Sequence, residues 1–269
     1  MYTQTYPLRS IHSRSLSAIL GRSREGAFMP DSRKQRGLSS RTLKVVGSVL
    51  IVLSLLGSLV SPTDPDFANL TIAVLCEALS WMAIPLYAWL LVEGYAHTRS
   101  RWAYGLRLLG LALISEVPYD LVTSGRVVDW TSQNPLFALV ICLATLALVD
   151  VYAPESAAWR WARILGLTAA GALWIFLLHA GVRQQVMQAG ILLLLLTVIF
   201  HTLARHENTM MMSAAILSAC FFILPSMGVA LLHYRNGSRG MTHAWQKWFF
   251  YVFYPLILLI FAGMRAAVL

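Results

Sequence analysis

From residue 43 onward the chain alternates long apolar runs with short polar breaks. The runs cover about residues 43–60, 70–92, 104–122, 135–152, 163–179, 190–203, 211–233 and 247–262. Most approach the ~20 residues that a helix needs to cross a ~30 Å hydrocarbon core. Only helices and closed barrels satisfy every backbone group there, and these runs are too long and unbroken for barrel strands. The pattern predicts an all-α fold, a polytopic transmembrane helix bundle of about eight spans with both ends on one side. The first span stops at SPTDPD, where two prolines and two aspartates cannot continue a helix. Residues 43–269 form the transmembrane domain in this scheme. Residues 1–42, polar and rich in Ser and Arg, read as a disordered tail.

Composition agrees, since 58% of the 269 residues are hydrophobic and only 12% are charged. The net charge of +9 changes the picture through its position. Arg9, Arg14, Arg22, Arg24, Arg33, Lys34, Arg36, Arg41 and Lys44 precede or open the first span. Such a tail keeps a terminus in the cytoplasm and can touch anionic membrane lipids. The expected setting is therefore the cytoplasmic (inner) membrane with a cytoplasmic N-terminus. A nucleic-acid partner is not expected, because neither aromatic interleaving nor a recognition motif accompanies the charge. Arg99, Arg101, Arg107, Arg160, Arg163, Arg205 and Arg265 fall on the expected inner side; Arg126, Arg183, Arg235, Arg239 and Lys247 fall outside. The loop with Arg235, Arg239 and Lys247 is too basic for an outer loop, so any miscount lies between Arg163 and His233. No short apolar core with a cleavage site marks a signal peptide in the first forty residues. Cys76, Cys142 and Cys220 read as small buried hydrophobes, and most tryptophans as interfacial anchors near span ends.

Ionisable residues concentrate between Pro85 and Asp120. Inside a membrane each costs about 2.5–3.5 kcal/mol on insertion scales, so each asks for a reason. Glu93 and His97, four apart, share a helical face if the helix continues. His97 with Arg99 and Arg101 suits an anionic ligand such as the phosphates of a nucleotide-containing thioester; an ordinary positive inner loop is the competing reading. Glu116 and Asp120 share a face around Pro118, and a carboxylate in low dielectric can serve as acid or base. Arg107 lies on nearly the opposite face from Glu116, which leaves the headgroups or Glu93 as its partners. Glu77 either faces a cavity or pairs across helices. His179, His201 and His233 read as interfacial histidines, and no metal-ligand spacing or nucleophile motif is present.

The run IPLYAWLLVEGYAHTRSRWAYGLRLLGLALISEVPYDL resembles the signature of the TraX family of bacterial membrane proteins. The matching positions are Pro85, Glu93, Gly94, Tyr95, His97, Thr98, Arg99, Tyr104, Arg107, Leu108, Ser115, Glu116, Pro118, Tyr119 and Asp120. Gln133–Asn134 and the segment RNGSRG with WFFYVFYPL are also similar. The resemblance implies a bundle related to membrane acyltransferases, transferring an acetyl group to the amino terminus of a pilin, with acetyl-CoA as the candidate donor and no metal. The chain departs from the pattern at four positions. The Asp-His pair of the first span falls on Ser54 and Leu55, an Arg on Trp81, and a His on Ile257. The family's Asp-Tyr-Gly segment is not recognisable in HAGVRQQVMQAG.

The expected function is a TraX-like acyl or acetyltransferase scaffold acting on an envelope or membrane-embedded acceptor, with its ancestral reaction lost or rebuilt. Glu116, Asp120 and His97 are then the candidate acid/base groups. Arg99, Arg101 and Arg107 are the donor contacts, and Glu93 and Asn134 the substrate contacts. The rival class is a non-catalytic assembly or partner protein of an envelope system. A transporter fits less well, for lack of a repeat or paired broken helices. A ligand site requires Glu93, His97, Arg107 and Asn134 to converge on an open cavity. A partner protein would have them paired off in a closed bundle.

Overall fold

The computed structural model describes residues 37–63, 67–151, 156–183, 187–238, 240 and 245–268. The tail expected to be disordered therefore lies, up to residue 36, outside the described residues. The described part is helical: α1 (Ser40–Thr63), α2 (Phe67–Ser80), α3 (Ala83–His97), α4 (Arg101–Thr123), α5 (Pro135–Val151), α6 (Ala157–Leu177), α7 (Ala189–Thr202), α8 (Glu207–Phe221), α9 (Ile223–His233) and α10 (Trp245–Val268). Between α6 and α7, β1 (Val182–Arg183) pairs antiparallel with β2 (Met187–Gln188). Among the described residues, four stretches are long and apolar enough to cross a membrane: Ser40–Leu59, Ala68–His97, Ala157–Leu177 and Trp248–Ala267.

Two expected spans are broken, each just before a proline. A proline ring clashes with the carbonyl four residues earlier, but it is tolerated in a helix's first turn, where the amide would be unpaired anyway. Pro85 disfavours continuation past Trp81, so α2 ends at Ser80 and α3 restarts at Ala83 along the same course. Pro225 acts likewise on Phe221, the last residue of α8. Phe222 is extended (φ −160°, ψ 154°), and there the chain reverses.

The reversal overturns the expected straight span over 211–233. Glu207 opens α8 and Arg235 follows α9, yet Arg235 Nη2 lies 3.4 Å from Glu207 Oε1. The segment is thus a hairpin whose ends meet and whose tip, Phe222, packs on Trp81 with ring centroids 4.5 Å apart. At Gly228 of α9 an added Cβ would lie 2.3 Å from the Met82 carbonyl oxygen, so only glycine permits this close approach to the α2–α3 break.

The hairpin also corrects which loops share an end. The 234–238 loop bonds the chain before α1: Leu38 N donates to Tyr234 O at 2.8 Å, and Asn236 N to Leu38 O at 3.0 Å. Ser40 in turn bonds Glu93 near the end of α3. Arg235 therefore lies at the same end as the α3–α4 connection, which is why its loop looked too basic for the opposite side. Arg265 moves the other way. Its Nη1 donates to Val122 O at the far end of α4, so the start of α1 and the end of α10 lie at opposite ends, not both on one.

Packing centres on α7, where Leu192, Leu194, Leu196, Thr197 and Phe200 are fully enclosed. At 14 residues, roughly 21 Å long, it is shorter than a hydrocarbon core. The neighbouring α3, α5, α6 and α8 surround it. The outer surface is apolar, with Leu113, Ile114, Leu165, Ile216, Val252 and Leu259 exposed, as lipid-facing helices require. Trp81 and Trp89 are buried rather than interfacial, and Cys220 is exposed rather than buried.

Candidate functional site

The ionisable residues of the Pro85–Asp120 stretch separate into two places. Arg101 and Asp120 are nineteen residues apart on one helix, about 29 Å along its axis. Glu93, His97, Arg99 and Arg101 sit at the first end. Glu93 is buried and accepts from the Ser40 hydroxyl, whose oxygen is 2.6 and 2.7 Å from the two carboxylate oxygens. His97 Nδ1 lies 2.8 Å from the Glu93 carbonyl oxygen, closing the last turn of α3. Arg107 does not reach Glu93. It is exposed, and its Nε donates to Ala103 O at 2.9 Å. Asn134 lies at the far end, so the expected convergence of Glu93, His97, Arg107 and Asn134 on one cavity does not occur.

A cluster that sequence reasoning missed stands at the first end. Asp150 accepts from the Tyr95 hydroxyl at 2.8 Å, lies 2.9 Å from His201 Nε2, and pairs with Arg101 Nη2 at 3.2 Å. The Arg101 guanidinium also lies over the Tyr95 ring, 4.5 Å from its centroid. Four helices, α3, α4, α5 and α7, each contribute one side chain. Two of these sit where their own helix disfavours them: Asp150 near the negative end of α5, and Arg101 at the positive end of α4. Their mutual attraction offsets both mismatches. A carboxylate can only accept, so Nε2 of a neutral His201 carries the proton and Nδ1 presents a lone pair. The His201 side chain is 22% exposed, so solvent reaches it. No signal in the sequence joins Asp150 to His201, fifty-one residues away.

At the far end, Glu116 Oε2 accepts from the Asn134 backbone N–H at 3.2 Å, and Asp120 Oδ2 from that of Asp129 at 2.9 Å. Asn134 Oδ1 accepts from the Leu136 N–H at 3.0 Å and the Tyr254 hydroxyl at 2.9 Å. Because the backbone N–H can only donate, this fixes the amide orientation and makes Asn134 Nδ2 a true donor. Asp129, in the connecting loop, holds a turn by accepting from Thr131 N at 3.0 Å and Thr131 Oγ1 at 2.8 Å. Those bonds hold its carboxyl below the ordinary carboxylate range.

The four positions that depart from the expected TraX pattern fall into two groups. Ser54 Oγ donates to Glu77 Oε2 at 2.5 Å, and Trp81 Nε1 donates to Glu77 Oε1 at 3.1 Å. Glu77 thus pairs across helices, held by the side chains at two of these positions. Leu55 and Ile257, at the other two, share an apolar cluster with Tyr119, Val122, Leu258 and Phe261. Neutral donors around a buried carboxylate hold the first group, and apolar packing holds the second.

No curated protein and no solved structure matches the chain. The family described as "TraX protein" matches residues 39–265. Beginning one residue before α1 and ending in the last turns of α10, that match takes in the whole helical bundle, and the chain belongs to the TraX family.

Proposed function

We propose that this TraX-family membrane protein is an acyltransferase that takes its donor, acetyl-CoA, at the Arg101 end of the bundle. The observation that carries the reading is the Asp150–His201 pair. Acyl transfer needs a base to activate the acceptor, and an oriented imidazole supplies one. His201 Nδ1 would take a proton from the acceptor's N–H or O–H as the nucleophile attacks the thioester carbonyl carbon. The C–S bond then breaks, and the departing CoA sulfur recovers the proton. Arg99, exposed at the same end, is the contact for the donor's phosphates, with His97 beside it. Glu116 and Asp120 lie about 22 and 29 Å along α4 from Arg101, which leaves the base role to His201.

Orientation follows from charge. Arg41, Lys44, Arg99, Arg101, Arg160, Arg163, Arg205 and Arg235 belong to the first end; Arg126 and Arg265 belong to the other. The positive-inside rule puts the first end in the cytoplasm of a bacterial inner membrane, where acetyl-CoA is made. In this reading the chain crosses seven times, counting α2–α3 as one span and α8–α9 as a re-entrant hairpin.

The test is transfer of labelled acetyl from acetyl-CoA to membrane extract by purified protein. Loss of an acid/base group costs about 10²–10⁴-fold. His201→Gln and Asp150→Asn should each fall by about a hundredfold or more, while Glu116→Gln and Asp120→Asn keep transfer. Transfer that survives both cluster variants would overturn the assignment of the base. The packed Leu55 and Ile257 favour a second reading, a non-catalytic partner for an envelope system. Absence of both acetyl-CoA binding and transfer would establish it over the first.

A further inference from the structure

Four polar atoms at the far end are buried without a hydrogen-bond partner among the described residues: Glu116 Oε1, Asp120 Oδ1, Asn134 Nδ2 and Arg265 Nε. Asp120 is 2% exposed and Asn134 not at all. Leaving a buried polar atom unpaired costs about 1–3 kcal/mol, and more if it is charged. Four together point to something that fills them. The contacts already described tie these groups into one site: the Asn134 N–H bonds Glu116, Tyr254 bonds Asn134, and Arg265 bonds the Val122 carbonyl two residues beyond Asp120.

The unmet chemistry is specific. The bare oxygen of each acid lacks a donor and no ion pair reaches either acid among the described residues, so a donor that also carries positive charge suits both. The amide nitrogen and the guanidinium nitrogen need an acceptor, best an anionic one. Water fills hydrogen bonds but leaves two acids uncompensated inside a membrane, which is costly. An ammonium with N–H groups, linked through a short arm to a phosphate, meets both needs. The flanks of the site suit acyl chains, because Ile114 and Val117 on α4 and Leu256 and Ile260 on α10 are exposed.

We propose that this site, between α4, α10 and the loop before α5, holds the headgroup of a phosphatidylethanolamine-type phospholipid. The four atoms are covered in this structure, so binding parts Glu116 and Asp120 to admit the ammonium, and the phosphate then accepts from Asn134 Nδ2 and Arg265 Nε. Phosphatidylcholine keeps the charge but lacks N–H donors, and phosphatidylglycerol lacks the cation.

Native mass spectrometry of the full chain, released from nanodiscs of equal phosphatidylethanolamine, phosphatidylcholine and phosphatidylglycerol, reads the outcome. Phosphatidylethanolamine should be retained at least about tenfold over either competitor, as charge-assisted hydrogen bonds allow. In Glu116→Gln/Asp120→Asn that preference should fall to within about twofold, and Asn134→Asp should weaken it while keeping the cap on Leu136. If the double variant is not monodisperse, Glu116→Gln alone gives the same reading, because its amide oxygen still accepts from the Asn134 N–H. Equal retention of the three lipids, retention of none (ordered water only), or a preference unchanged by the substitutions would each overturn the proposal.

Discussion

The hairpin depends on Arg235, and replacing it measures how firmly α8–α9 is held. In Arg235→Gln four contacts are lost, the weakest being the one from Nη1 to Met211 Sδ at 3.5 Å. The ion pair to Glu207 is half in solvent, with side-chain exposures of 11% and 45%, so it is worth only about 0.5–1 kcal/mol after screening. The guanidinium over the buried Trp89 ring, 4.1 Å from its centroid, adds about 1–2 kcal/mol. The bond from Nη1 to Leu232 O at 3.1 Å closes the end of α9 and adds about 0.5–1.5 kcal/mol. Together these predict a loss of roughly 2–4 kcal/mol. Arg235→Lys keeps the charge but not the planar stack, and should lose about half as much. Reversible unfolding in mixed micelles gives the totals. Double-mutant cycles with Glu207→Gln and Trp89→Leu give the pairs, and the Trp89 coupling should be the larger. A change below about 0.5 kcal/mol in Arg235→Gln, or a Glu207 coupling exceeding the Trp89 coupling, would refute the reasoning.

Three further outcomes are expected. With the native cysteines removed, single cysteines at Ser100, Glu207 and Ser238 should react with an impermeant maleimide from one face, and those at Ser124 and Thr131 from the other; labelling of 207 and 238 from opposite faces would restore a straight span. Ser54→Asp sets a second carboxylate against Glu77 and should destabilise by about 2–3 kcal/mol, whereas adding Trp81→Arg should recover much of that, a coupling measured by the same unfolding cycle. Because the folded-state carboxyl of Asp129 titrates below its ordinary range, its contribution is present above that range and disappears as pH falls through the folded value. The unfolding midpoint of Asp129→Asn should thus lie below that of the parent at neutral pH and meet it in acid.

Much of the bundle was legible because its cause is local. Backbone groups in a hydrocarbon core must be paired within the segment, so a helix announces itself by a run of apolar residues. The eight runs accordingly foretell where helices lie, and the excess charge after His233 correctly marks the one segment whose course was misread. Ser54, Leu55, Trp81 and Ile257 stand out in the sequence as departures from the expected TraX pattern, but the contacts that hold Ser54 and Trp81 to Glu77, and Leu55 to Leu258, do not. For a related reason Asp150 gives no signal in the sequence and His201 reads only as an interfacial histidine. Each looks ordinary in its own run, and only the packing of α5 against α7 brings them together.

Proline shows the limit most clearly. Pro85, Pro118, Pro225 and Pro255 all interrupt apolar runs, and each opposes the carbonyl four residues before it. Within α4 and α10 the helix continues past Pro118 and Pro255. At Pro225 it stops and turns back, and at Pro85 it stops and goes on. The local cost is of the same kind at all four, so the sequence by itself determined that the chain is a helical membrane protein of the TraX family with weak points at known places. Which weak points become breaks was decided by tertiary contacts. Phe222 finds Trp81, Gly228 lets α9 lie against Met82, and Arg235 joins Glu207 and Trp89, contacts that only a reversed chain can make.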